Sequence, residues 1–284
     1  MKKYFSIISI IPLFMLLLII ACDKIEPPYK STNTDNTDTL PKRKFLLEEF
    51  TGHTCPNCPQ GAIVAQQLKN LYGERLVLIS IHYADFAEPG TGEFAYDFRS
   101  STGNEIGDFF APQAFPAGLV SRTGWTSTQN LAVLDKDAWG AKIESLKNIA
   151  PLVSIEMTNT YGAGTKTVNS VVEVDALQNF SGTYKIAAYI TEDSIVHAQV
   201  TQNDPVHTDN IIHDYVHRHV LRGSMSGTWG DTLVSGNAVN GDQFVKEFST
   251  VLNAGWNENH CYVVAFIYDA SNYEIIQVEE RKIK

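Results

Sequence analysis

The chain has 284 residues, 44% of them hydrophobic, and a formal net charge of −10. That length exceeds one average domain, and the apolar content suffices for real cores. No Lys/Arg cluster lies in the region expected to fold, which argues against nucleic acid as a partner. Four cysteines over this length exclude a disulfide scaffold.

Lys2 and Lys3 form a charged start, followed by the apolar run Tyr4 to Ile20 and then Ala21-Cys22. Residues 1–21 read as a secretory signal, with a plain membrane anchor as the other reading of so long a run. Ile19-Ile20-Ala21-Cys22 resembles a bacterial lipobox, which implies cleavage before Cys22 and a lipid on it as the new N-terminus. Loss of Lys2 and Lys3 would move the formal charge from −10 to −12. Residues 22–42 have almost nothing to bury and read as a disordered tether. About twenty such residues span roughly 25 Å on average and about 70 Å at full stretch. Asp23 and Glu26 resemble the surface-export signals of Bacteroidota lipoproteins, or belong simply to a solvated linker.

The first folded part is expected over residues 43–149. Phe45, Leu46 and Leu47 begin a strand, and Cys55-Pro-Asn-Cys58 opens an amphipathic helix carrying Val64, Leu68, Leu71 and Tyr72 and ending at Gly73. A thiol at a helix N-terminus is favoured as thiolate, and Pro56 suits a first helical turn. Cys58, less than a turn on, is close enough to resolve a mixed disulfide. Glu49 is a carboxylate in an apolar strand, six residues before Cys55, and could take up and return protons. His53 would lower the thiol pKa if protonated nearby, or is a solvated loop residue. By themselves the two cysteines fit a redox couple, a structural disulfide or half of a metal site.

Residues 75–82 form a continuous apolar run suited to a central parallel strand, completing a strand–helix–strand unit. A Gly- and aromatic-rich insertion follows between Tyr83 and Phe115, with a short helix expected over 104–110. Phe115-Pro116 leads into a strand, and Trp139, Ile143 and Leu146 mark a helix over 135–149.

Strand, Cys-x-x-Cys, helix and upstream acid together resemble the active-site segment of the thioredoxin superfamily. The Cys-Pro-x-Cys form is similar to that of disulfide oxidases and glutaredoxins. Thr54 stands where a Trp is usual, and Pro-Asn replaces Gly-Pro, so the direction of electron flow stays open. The resemblance implies an α/β thioredoxin-like domain with Cys55 as attacking thiolate, Cys58 as resolving thiol and Glu49 as proton acceptor. It also implies a cis-proline at Pro116 facing the pair, with Phe115, Pro116 and His53 at the substrate chain. No cofactor is expected, because electrons pass between thiols.

From residue 150 the period changes to two. Alternating runs at 153–157, 168–174, 184–190, 263–268 and 273–278 suggest an all-β sandwich of immunoglobulin-like type over 150–284. His213, His217 and His219 share one face of an extended strand, but the first two would stand about 13 Å apart, so no metal site is expected. Cys261 reads as a buried small residue. The lipobox, this domain order, and the segments Val216–Arg222 and Tyr262–Tyr268 resemble the Bacteroidota family named after an outer membrane protein of roughly 28 kilodaltons. That family implies a lipoprotein of the outer membrane, periplasmic or surface-exposed. Two functions are expected in competition. One is a thiol–disulfide oxidoreductase acting on protein or peptide thiols, held to the lipid membrane through Cys22. The other is a surface binding protein or adhesin with a structural disulfide.

Overall fold

The structure is a computed structural model and describes residues 41–284. The expected signal segment 1–21, the lipidation site Cys22 and the tether as far as residue 40 lie outside the described residues.

The first strand, β1 (Phe45–Thr51), runs straight into the cysteine loop. The helix after it, α1 (Cys58–Tyr72), begins at the second cysteine rather than the first, and its first-turn proline is Pro59 rather than Pro56. It ends at Gly73, whose φ of 57° lets the chain turn away while its N–H bonds Lys69 O. The apolar run then forms β2 (Leu76–His82), parallel to β1. Within the insertion, α2 (Ser101–Phe110) is capped by the Ser100 hydroxyl, which accepts from Gly103 N–H at 3.0 Å. Next come β3 (Ala117–Val120), antiparallel to β1, then β4 (Val133–Asp135) on its outer side and α3 (Trp139–Leu146).

The remainder is strands: β5 (Val153–Gly162), β6 (Thr167–Ala176), β7 (Phe180–Glu192), β8 (Val220–Ser224), β9 (Asp231–Ala238), β10 (Gln243–Val251), β11 (Cys261–Asp269) and β12 (Ile275–Lys282). Two-residue ladders join 195–196 to 216–217 and 199–200 to 211–212.

The fold is mostly β-sheet with few helices. One mixed sheet runs β12-β11-β7-β8-β2-β1-β3-β4, with β9 also on β7. The boundary expected at 149/150 falls between α3 and β5 but does not part this sheet. β8 pairs in parallel with β2 through Val220 and Ser80, and Ser80 N–H donates to His219 O at 2.8 Å. Period-two alternation along β1 gives this strand two buried faces. Phe45 and Leu47 point toward α1 and α3, where Ala65, Trp139 and Ile143 cover them. Leu46 and Phe50 point the other way, into a core shared with Phe110 of α2 and with Tyr189, Leu221 and Phe266 from the second half. A smaller sheet, β10-β6-β5, packs across β7 and β11 through Met157, Val172, Ile186 and Val263. The second half thus contributes two β layers, one of which continues into the first half. Leu71, expected on the buried face of α1, is 72% exposed; Cys58, Gly61 and Ala65 are the deep positions there.

Candidate functional site

Cys55 and Cys58 form a disulfide with Cα atoms 5.4 Å apart. Cys55 lies in the loop before α1, where its N–H donates to Gly52 O and its carbonyl accepts from Cys58 N–H. It therefore precedes the helix N-terminus instead of opening it. The two cysteines are only 1% and 2% exposed.

The loop is covered from two sides. Thr54 donates from both its N–H and its hydroxyl to Phe86 O, at 3.0 and 2.9 Å. Gly52 permits this approach, since a Cβ there would lie 2.3 Å from that oxygen. On the other side the Gln199 side-chain amide donates to Gly52 O at 3.2 Å and Cys55 O at 3.0 Å. Val200 N–H donates to His53 O at 2.8 Å, and the side chains of Gln202 and Asn57 hydrogen-bond.

Behind the pair, Glu49 and Pro116 meet α1 at one glycine. A Cβ on Gly61 would stand 2.6 Å from Glu49 Oε1 and 2.7 Å from Pro116 Cβ. Glu49 is 4% exposed and its Oε1 has no hydrogen-bond partner. Burial without a counter-charge pushes its pKa up to about 8, so at neutral pH it holds a proton. The Phe115–Pro116 peptide bond is cis. Pro116 is buried, whereas half-buried Phe115 packs on Tyr83 and Phe86. A cavity of about 300 Å³ adjoins the pair, lined by Glu49, Cys58 and Ala62 on one side and by Gln199, Tyr215 and His217 on the other.

His53 does not present a charge to Cys55. It is 1% exposed, its ring stacks on Phe94 at 5.7 Å, and desolvation lowers its pKa. It belongs to a nest around Phe98 with His82 at 4.5 Å and His217 at 4.3 Å, while His197 lies on Tyr96 at 4.2 Å. Burial drives His217 down to about 3 and His82 well below the usual imidazole range. The three histidines read as one strand face diverge. His213 is exposed between Glu93 and Asp209, His217 enters the nest, and His219 turns toward Asp193. Cys261 is free and buried, and its thiol is pushed up to about 12.

Gln199 was invisible in the sequence, because a lone amide in an aperiodic stretch carries no signal. The pairing of Glu48 with Arg122 was also missed, although two successive acids in an apolar strand asked for a partner on each face.

The chain's family defines it as an outer membrane protein. A family model described as Outer membrane protein Omp28 matches residues 105–284, so the chain belongs to the Omp28 family. This membership places it at the outer membrane; the cysteine pair lies ahead of the matched region. Among the described residues no helix is long and apolar enough to cross a bilayer. The structure of HBP35 of Porphyromonas gingivalis is similar at 18% identity and a TM-score of 0.63, over 85% of this chain and 76% of that one. A protein of Agrobacterium tumefaciens is similar at 10% identity and a TM-score of 0.54, over 86% and 96%. Both likenesses concern the fold. No curated protein matches the sequence significantly.

Proposed function

We propose that this protein is a lipid-anchored thiol–disulfide oxidoreductase of the outer membrane, held through Cys22, with a thioredoxin-like part over 43–149 and an immunoglobulin-like sandwich over 150–284. The observation that carries this reading is the protonated Glu49 carboxyl, its Oε1 without a hydrogen-bond partner, meeting Pro116 at Gly61 and lining the same cavity as Cys58. A structural disulfide has no use for a proton store beside it.

In the proposed exchange a substrate thiolate attacks Cys55 Sγ, the bond to Cys58 breaks, and Cys58 leaves as thiolate and takes a proton. A second substrate thiolate then attacks the mixed disulfide and releases Cys55. The substrate dithiol loses two electrons and the protein gains them; the reverse sequence reduces a substrate disulfide. Glu49 lends and recovers the proton, and Phe115 and Pro116 flank the incoming chain. Protein or peptide thiols and disulfides are the partners, and no cofactor enters.

A second reading is a surface binding protein whose disulfide is structural, and the 1% and 2% exposure of the two cysteines favours it. Incubation of the oxidised protein with a glutathione redox series, followed by alkylation, decides between them. Equilibration with glutathione, lost in Cys55→Ser, is expected of the oxidoreductase. A pair that stays inert to glutathione, and to alkylation after mild reduction, sinks it.

A further inference from the structure

The cysteine loop is held by Phe86 on one side and by a single later excursion of the chain on the other. Residues 195–217, between β7 and β8, fold back on themselves through the ladders Ile195–His217 and Val200–Ile211. Three residues of this hairpin hold the cysteine loop: Gln199 by its amide, Val200 by its backbone N–H and Gln202 by its side chain. They bond Gly52, His53, Cys55 and Asn57, so the grip falls on the motif and on two of the residues just before it. The hairpin does not settle onto α1 as a packed layer; it arches, leaving the cavity between Cys58 and Tyr215 beneath it. Both ends of the excursion are rooted in the aromatic nest, His197 on Tyr96 and His217 on Phe98. The tip between them is held to the loop by polar contacts beside a void, so it can lift with less loss of apolar burial than a core element.

We propose that residues 199–212, the tip of this hairpin, are a latch over the Cys55–Cys58 disulfide, and that the pair meets an external thiol only when this tip is raised. The use of such a latch in exchange rests on the oxidoreductase reading above; the gating itself does not. Gln199 is its main fastener, since one amide bridges the carbonyls on both sides of the loop turn. The latch also accounts for a cysteine pair that sits in a surface loop yet shows almost no surface.

The test is the rate at which dithiothreitol reduces the oxidised, purified protein under native conditions. One dithiothreitol thiolate attacks a protein sulfur and the Cys55–Cys58 bond breaks. The second thiolate then closes the reagent's ring, leaving two protein thiols and oxidised dithiothreitol. Gln199→Ala is expected to raise this rate about tenfold, the factor for losing one or two net hydrogen bonds. Val200→Pro, which removes the N–H given to His53 O, is expected to act in the same direction. Circular dichroism confirms that each variant is folded, and in Gln199→Ala amide exchange at Val200, whose N–H bonds His53 O, should quicken together with reduction. Wild-type and variant rates that agree within twofold overturn the latch. Faster reduction in the variants, with no equilibration against glutathione in any of them, leaves the latch standing and removes the oxidoreductase.

Discussion

The side chains of Glu48 and Arg122 form a two-pronged ion pair with no solvent exposure on either partner. Arg122 Nε donates at 2.7 Å and Nη2 at 2.5 Å, while the guanidinium lies 5.0 Å from the Phe266 ring and 5.5 Å from that of Phe110. The pair joins strand β1 of the first half to aromatic rings of both halves. Breaking it leaves a buried charge alone, so Glu48→Gln is expected to cost about 3–5 kcal/mol. The double variant Glu48→Leu/Arg122→Met is expected to cost less than either single change. Urea denaturation of wild type, Glu48→Leu, Arg122→Met and the double variant checks this; equal, additive losses contradict it.

Gly61 is the contact point of Glu49 and Pro116 with α1. Gly61→Ala gains about 1 kcal/mol of helix propensity but forces a shift in both neighbours, for a net loss of about 1–2 kcal/mol. Gly140 in α3 is the control, because a Cβ there meets only Leu68 Cδ2 at 3.4 Å. Gly140→Ala is therefore expected to be neutral or stabilising. Thermal melts that rank the two variants the other way refute the crowding at Gly61.

Glu49 sets an alkaline dependence. Its folded pKa, about 8, lies above its unfolded value of 4.5, so its contribution is intact below pH 4.5 and is lost as pH rises toward 8. Between pH 4.5 and 7 wild type should lose about 3 kcal/mol relative to Glu49→Gln. A stability difference between the two proteins that stays flat over this range would show that the carboxyl is ionised.

The histidine nest acts in the opposite direction. His217 has a folded pKa near 3 against 6.5 when exposed, so the unfolded chain binds the extra proton and stability falls as pH drops below 6.5. His217 is expected to cost about 2 kcal/mol by pH 5. His217→Phe should recover about that amount at pH 5 and little at pH 7.5. Urea midpoints at the two pH values measure it. The Asp97 and Arg99 charges beside His53, and Arg222 near His82, remain in both proteins and cancel in the comparison.

Local pattern made much of this molecule readable. The continuous apolar run at 75–82 gave the central strand, and Gly73 gave the end of α1. The spacing of Glu49 from the cysteines placed an acid near the pair, because a strand and the helix after it have fixed geometry. What could not be read was whatever depends on distant pairing. β8 joins β2 through a single residue pair, Val220 and Ser80, and no periodicity announces it. His53 looked like a solvated loop residue, since the rings that enclose it come from an insertion and a hairpin far along the chain. The start of α1 was misplaced by three residues, because Pro56 and Pro59 each suit a first turn and only the fold chooses between them.

The shared sheet has a bearing on how such a chain can evolve and be made. Leu46 and Phe50 find their cover on β7, β8 and β11, which are synthesised more than a hundred residues later. The amino-terminal portion, made first, therefore keeps an apolar face open until the last strands arrive. For the same reason recombination cannot trade either portion as a ready-made module: inheritance must pass on both together.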